Sequence, residues 1–334
     1  MNELRLGLPD DWHVHLRQGP GLAAYAARTA TSCGRMLVMP NTLPPVADGL
    51  AVDAYRAQIA AAAPSCQPLM TFKLLPGMGT AAVAGCLAAG CLAGKYYPAG
   101  ATTNAADGVA DPTSIHQELA YMEDNDIVLS IHGENPAAPA LERETEFLPV
   151  VDRLIHAYPR LRIVLEHLST ASAVAAVLAW PERVAATITA HHLFFCIDDL
   201  LGGSLQPGLF CKPPLKSAAD RRALVAAAVS GSPRFFFGSD SAPHPVSAKL
   251  SSAAPAGCYT APVALPLLAE VFAAAGALSA LEHFTSRAGA NFYRLPPNRG
   301  ELLLTRQAWQ VPSEIDGCLP PAAGRQLAWQ AVRL

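Results

Sequence analysis

The sequence predicts an α/β protein, a single (β/α)8 barrel of the TIM type with a small C-terminal appendage. Three observations carry that expectation. Short β-like runs alternate with longer Ala/Leu-rich stretches of helical character, the βαβ alternation that builds a parallel sheet. The runs number eight. A chain of 334 residues is about what eight βα units occupy, and no Gly/Ser-rich or Pro-rich linker divides it.

In chain order, residues 11–15, 36–39, 70–74, 91–96, 127–132, 162–167, 184–189 and 234–238 read as strands. Residues 53–62, 113–123, 149–158, 171–178 and 218–228 read as helices, mostly one per interval. Residues 295–334 have a different texture, with Pro296, Pro297, Pro320 and Pro321, and read as an appendage packed on the barrel. Residues 1–334 are thus expected to form one domain. There is no internal repeat and no long block of like charge.

Composition narrows the function. Lys and Arg total 24 against 27 Asp and Glu, a net charge of −3, and 51% of residues are hydrophobic while 15% are charged. Such a chain folds around a large core, burying roughly 75% of its unfolded surface. The absence of a basic excess or stripe argues against nucleic acid as a partner and leaves a small-molecule substrate. Residues 1–9 lack the basic and apolar regions of a secretory signal. The apolar stretch 262–281 carries Pro266 and Glu270 and reads as packed helix, not as a membrane span. A soluble cytoplasmic protein without a membrane partner is expected. The eight cysteines, of which Cys86 and Cys91 are the closest pair, show no zinc-ribbon or Cys-x-x-Cys spacing and read as reduced, mostly buried thiols.

The unusual polar residues stand at strand ends. The first strand runs Asp11-Trp12-His13-Val14-His15-Leu16-Arg17, and residues two apart on a strand share a side, so His13 and His15 face one point and suit one metal ion. Lys95, His132 and His167 end three further strands, and Asp240 follows the last. In a barrel all of these converge on the catalytic face. Each alone has an ordinary reading: a histidine capping a carbonyl, a snorkelling lysine, an aspartate opening a turn. Coincidence at five strands is a poor account of the set. His191 and His192, after the seventh strand, are assigned to strand-end structure.

Taken together, Asp11 to Arg17, Met39-Pro40-Asn41-Thr42, Gly94-Lys95-Tyr96-Tyr97-Pro98, Ile131-His132-Gly133-Glu134, Leu165-Glu166-His167 and Gly238-Ser239-Asp240-Ser241-Ala242-Pro243-His244 resemble the dihydroorotases of the amidohydrolase superfamily. The shorter bacterial type is the most similar, and the resemblance runs in order from about residue 7 to about residue 295.

The resemblance implies two zinc ions at the barrel mouth, one held by His13, His15 and Asp240, the other by His132 and His167. Lys95, carboxylated by CO2, would bridge them, since a carbamate offers two anionic oxygens that span metals roughly 3.5–4 Å apart. It further implies a metal-bridged hydroxide as nucleophile, with Asp240 as general acid and base, in the reversible interconversion of N-carbamoyl-L-aspartate and L-dihydroorotate plus water in pyrimidine biosynthesis. Arg17, Asn41 and His244 match the positions that bind the substrate carboxylate. Thr102 and Thr103 match hydroxyl donors on a mobile loop. Gly100 replaces the asparagine of many relatives there. Lys212, where some relatives are apolar, and Ala256 match backbone contacts to the ring. A homodimer is also implied. The alternatives are a hydantoinase or allantoinase on the same barrel, which would not need the Arg17, Asn41 and His244 cluster, and a non-catalytic relative, which would be expected to lose metal ligands.

Overall fold

The computed structural model describes residues 2–334. Thirteen strands follow one another: β1 (Glu3–Gly7), β2 (Asp10–Val14), β3 (Arg35–Val38), β4 (Gln67–Lys73), β5 (Cys91–Tyr96), β6 (Val128–Ile131), β7 (Ile163–Leu165), β8 (Val184–Ile188), β9 (Phe235–Phe237), β10 (Glu301–Thr305), β11 (Trp309–Gln310), β12 (Gln326–Leu327) and β13 (Gln330–Arg333). Strands β2 to β9 form one parallel sheet in sequence order, which makes every crossover a neighbour-to-neighbour step. The eight strands read from sequence lie within two residues of these, except that β4 begins three residues early at Gln67. Pro68 lacks a donor and is tolerated there because it sits at the start of the strand.

The barrel closes between β9 and β2 just beyond the strands themselves. Asp240 N donates to His13 O at 2.8 Å and His15 N to Ser241 O at 2.9 Å. Asp11 reinforces the seam, its carboxylate accepting from Ser239 N at 2.8 Å and His13 N at 3.2 Å. Burial holds that carboxyl up at about 6.

The helices are α1 (Leu22–Ala30), α2 (Gly49–Ala62), α3 (Gly79–Ala88), α4 (His116–Asp124), α5 (Leu148–Ala157), α6 (Ala171–Ala179), α7 (Ala190–Phe194), α8 (Ile197–Leu201), α9 (Ala218–Val229), α10 (Val246–Lys249), α11 (Ala264–Ala274) and α12 (Ala288–Phe292). Caps set their starts. The Asp48 side chain accepts from Ala51 N, so α2 begins earlier than the predicted residue 53. The helix predicted from 113 opens as a 3-10 turn, Pro112–Ile115, because Pro112 suits a first turn, and turns α-helical at His116. Ser217 and Asp220 form a reciprocal capping box on α9.

Each barrel strand sends one apolar side chain into the lower interior: Trp12, Leu37, Leu69, Ala93, Val128, Val164, Ala185 and Phe236. The end of the barrel is plugged by α12, with Tyr293 stacked on Trp12 at 4.5 Å between ring centroids. A Cβ at Gly289 would overlap the Trp12 indole, so only glycine lets α12 approach this closely. Counting upward from that floor by twos along each strand reaches Lys73, Lys95, Ser130, His132, Glu166, Thr187 and Asp240. One alternation thus builds a dry floor and a polar mouth.

Residues 295–334 do not pack as a tail alone. β10 pairs antiparallel with β13 on one side and with β1, from the other end of the chain, on the other. Leu6, Leu302 and Leu304 bury their side chains there. All eight cysteines are free and buried. No helix among the described residues is long and apolar enough to cross a membrane.

Candidate active site

Backbone irregularities deliver the site. The register of β2 against β3 slips between Asp11 and Val14, which lets consecutive residues serve different ends: Trp12 joins the floor and His13 the mouth. His167 (φ 42°) and Asp240 (φ 44°) adopt left-handed backbone at their strand ends, and Arg17 does the same (φ 59°). Non-glycine residues adopt this conformation rarely, and these three of the eight that do so among the described residues lie at one mouth. Arg17 would share the side of His13 and His15 if the strand stayed extended. The chain is not extended there, and the left-handed turn is what returns Arg17 to the pocket.

Two groups of ligand-type atoms result. Nε2 of His13 and Nε2 of His15 lie 3.3 Å apart, and Asp240 Oδ1 is 3.4 and 3.2 Å from them. Nδ1 of His132 and Nε2 of His167 face each other at 3.1 Å, and the His13 and His167 rings are 5.1 Å apart. Burial holds His15 down to about 4 and His167 well below the usual histidine range, so these nitrogens are neutral donors of lone pairs at neutral pH. The His15 hydrogen bond and the neighbouring histidines hold Asp240 well below the carboxylate range against its burial.

Lys95 lies at the same mouth, wholly buried, and its Nζ has no hydrogen-bond partner. Burial lowers its pKa to about 8, although Glu166 and Asp240 act the other way. An unpartnered buried amine is costly unless something else completes it.

Three of the four histidines have a partner on the outward-facing nitrogen that sets the ring, whereas Nδ1 of His167 has none. His13 Nδ1–H donates to Glu166 Oε2, His132 Nε2–H to Glu134 Oε2, and His15 Nδ1–H to Asn41 Oδ1, all at 2.8 Å. Glu166 also accepts from Ser130 Oγ and, at 2.6 Å, from Thr187 Oγ1. A carboxylate behind a metal-ligating imidazole fixes its tautomer and raises its basicity. Sequence reasoning quoted Glu134 and Glu166 inside motifs yet gave them no task; their position beside strand-end histidines was the available signal. It also passed over Lys73, a strand-end lysine like Lys95.

The remaining candidates line one narrow pocket, where Arg17, Asn41, Thr102, Thr103, Lys212 and Ala256 meet His15 and Asp240. His244 stands at its edge: its Nε2 is 2.9 Å from Arg17 Nη2 and 3.0 Å from Ala256 O, and a single ring nitrogen serves one of them at a time. Burial and the Arg17 charge push His244 down to about 3, so it stays neutral. Asn41 is shared, since its Nδ2 also donates to Thr103 O at 3.0 Å. His191, His192 and Cys211 form a second buried ligand-type group. In it His192 is already engaged on both ring nitrogens, with Thr189 Oγ1 and Pro213 O, as fits the structural role read for it.

Glu144 buttresses the loops that carry His132 and His167. It is buried, accepts from Ser169 N at 2.9 Å and from Thr170 Oγ1, and burial raises it to about 7, with Lys216 opposing and Glu134 adding to the rise. A carboxyl raised on folding costs stability once it must ionise. The contribution of Glu144 to folding stability is therefore expected to fall between about pH 4.5 and pH 7, by about 3 kcal/mol, while the histidines held below their ordinary range contribute in the opposite direction over the same window. Denaturant titration of the parent and of Glu144→Gln across that window isolates this contribution: the stability of the variant relative to the parent should rise with pH, and a pH-independent difference would remove Glu144 as its source.

A closed parallel barrel with metal-ligand side chains gathered at its strand ends defines a hydrolase of the amidohydrolase class, here a cyclic amide hydrolase. No protein-family model matches the chain. The chain is 44% identical over 343 residues to the dihydroorotase of Alkalilimnicola ehrlichii, covering 99% of this chain and 100% of that one. Its fold superposes on the crystal structure of dihydroorotase from Saccharomyces cerevisiae in complex with 5-fluoroorotic acid at a TM-score of 0.94, with 34% identity over 100% of this chain and 99% of that one. The L-hydantoinase of Arthrobacter aurescens shares the fold alone, at a TM-score of 0.83 and 17% identity over 99% of this chain and 84% of its own. The chain belongs to the dihydroorotase family.

Proposed function

We propose that the protein interconverts L-dihydroorotate plus water and N-carbamoyl-L-aspartate with two zinc ions, and the observation that supports this reading is the gathering of His13, His15 and Asp240 beside the His132 and His167 pair, at the same barrel mouth as the unpartnered Lys95 amine. His13, His15 and Asp240 would hold one ion and His132 and His167 the other. Lys95 would join both as a carbamate, formed when the neutral amine adds to CO2 and releases a proton. Its pKa, lowered to about 8, raises the share of neutral amine near neutral pH, and an Nζ without a hydrogen-bond partner of its own is consistent with a group that is completed by modification. When bound, the metals supply Lewis acidity that readies a water and polarises the ring carbonyl.

The chain's own residues do the rest. Asp240 accepts the proton of the attacking water and returns it to the departing ring nitrogen; in ring closure the same carboxylate works in reverse. Arg17, with a planar fork suited to a carboxylate, holds the substrate's carboxylate beside Asn41 and His244. Thr102 and Thr103 close over the ring, and the backbones at Lys212 and Ala256 border it. The reading also takes residues 1–334 as one barrel domain with 295–334 as its packed appendage, working as a cytoplasmic homodimer. The pairing of β1 with β10 supports the single domain.

The test is turnover of L-dihydroorotate by the purified protein before chelation, after it, and after zinc is restored, with hydantoin and allantoin alongside. Loss and recovery of dihydroorotate turnover, with the neutral rings inert, is expected. Turnover of the neutral rings instead would overturn the carboxylate-reading pocket.

A further inference from the structure

Lys73 is the last residue of β4, four positions above the floor residue Leu69, and its side chain is 1% exposed. The chemistry proposed above does not use it. Its Nζ donates to Asn104 O at 2.7 Å and to the Asp107 carboxylate, and both partners belong to the 99–108 loop. The barrel itself offers this ammonium only the face of Tyr97, 5.8 Å away.

The same loop is tied across the mouth. Asn104 Nδ2 donates to Asn41 O at 2.9 Å, Asn41 Nδ2 donates to Thr103 O at 3.0 Å, and Thr103 Oγ1 reaches Ala256 O at 3.4 Å. Gly100 (φ 75°) and Asn104 (φ 54°) hold left-handed turns at the two ends of the Thr102-Thr103 pair. These are neutral hydrogen bonds that water can replace when the loop lifts. The Lys73 contact is different. Lifting the loop takes away both polar partners of an ammonium that is buried beneath it, and although water then reaches that ammonium and the Asp107 carboxylate is already half-exposed, the charged pair adds to the neutral bonds in favouring the closed arrangement.

We propose that Lys73 is a positioning residue that latches the 99–108 loop shut through Asp107, and so sets how firmly Thr102 and Thr103 are held against the substrate. Substrate must enter under this loop and product must leave, so the pair tunes the balance between affinity and release. Where the latch is cut, substrate binding has to order the loop, and the apparent affinity falls by the closed fraction that is lost. The kinetic part rests on the dihydroorotate reading; the loop part does not.

Asp107→Asn keeps the size of the side chain and removes its charge. Amide hydrogen exchange across 99–108 should quicken at least about tenfold, while metal content and the exchange of β2 to β9 stay as in the parent protein. KM for L-dihydroorotate should rise roughly fivefold to twentyfold with kcat unchanged or higher. Lys73→Met should reproduce both shifts, and the double variant should go no further than either single one, because each cuts the same latch. Asp107→Glu should restore most of the closed state. If Lys73→Met does not fold, Asp107→Asn still decides. Unchanged loop exchange in Asp107→Asn would overturn the latch, and faster exchange without a rise in KM would overturn its positioning role. Failure of the parent protein to turn over dihydroorotate would strike the proposed function and leave the exchange result standing.

Discussion

Lys95→Ala is expected to lower bound metal from two ions per chain to one or none and to reduce turnover on the order of a thousandfold or more. The expectation follows from where the amine sits. It is wholly buried and without a hydrogen-bond partner, at the end of the strand next to the one that leads into His132 and within electrostatic reach of Glu166 and Asp240. As an ammonium it would repel cations from both groups. As a carbamate it would supply the anionic charge that neutral imidazoles lack, and its loss would remove a ligand common to both ions. Several kcal/mol of transition-state stabilisation rest on such a centre, which sets the size of the rate effect. Elemental analysis of protein purified without chelator, read together with kcat, checks it. Two tightly held metals in Lys95→Ala would contradict the bridge. The alanine variant should keep its fold, because removing an unpartnered amine leaves no hydrogen bond broken.

Arg17→Met is expected to leave the metals in place and to raise KM for L-dihydroorotate by about a hundredfold or more, with a smaller effect on kcat. Losing a charged partner of a buried carboxylate costs roughly 2–5 kcal/mol, which spans that range. Methionine retains the apolar stem, so packing is largely kept. Arg17→Lys should recover little, because a point ammonium cannot reproduce the bidentate fork. His244 cannot substitute either: held down at about 3, it carries no charge at neutral pH. Steady-state kinetics with metal content measured on the same samples is the check. An unaffected KM would show that Arg17 is not the carboxylate clamp, and the pocket would then suit an uncharged ring.

The two variants separate metal from substrate in a way that the resemblance to other barrels cannot. The superfamily reuses the metal site and changes the pocket, and the Arthrobacter aurescens hydantoinase shares this fold at 17% identity. Arg17 and Asn41 line one small pocket with Asp240, His244 meets Arg17 at its edge, and on the proposed reading this cluster would distinguish an acid from a neutral ring.

The amino-acid sequence by itself determined the barrel and the identity of the residues at its mouth. Strand periodicity is local: a run such as Val128-Leu129-Ser130-Ile131 ending in His132 shows both the strand and the side chain that its end presents. Eight such runs, each about where β2 to β9 occur, leave little freedom in the topology. Three things were decided only by the tertiary structure. The left-handed backbone at Arg17, His167 and Asp240 is imposed by closure and by neighbouring strands, and no local pattern announces it. Glu134, Glu166 and Asn41 acquire their tasks from rings that approach them in space; Glu166 serves a histidine 153 residues away. Lys73 looks like Lys95 in the sequence, a lysine at the end of a strand, yet one is hydrogen-bonded by the loop above it and the other has no hydrogen-bond partner, only the Tyr97 ring 5.4 Å away. The physical reason is the same throughout: sequence pattern encodes which face of an element a side chain takes, whereas the partner that completes a buried charge comes from elsewhere in the chain and is chosen only when the barrel closes.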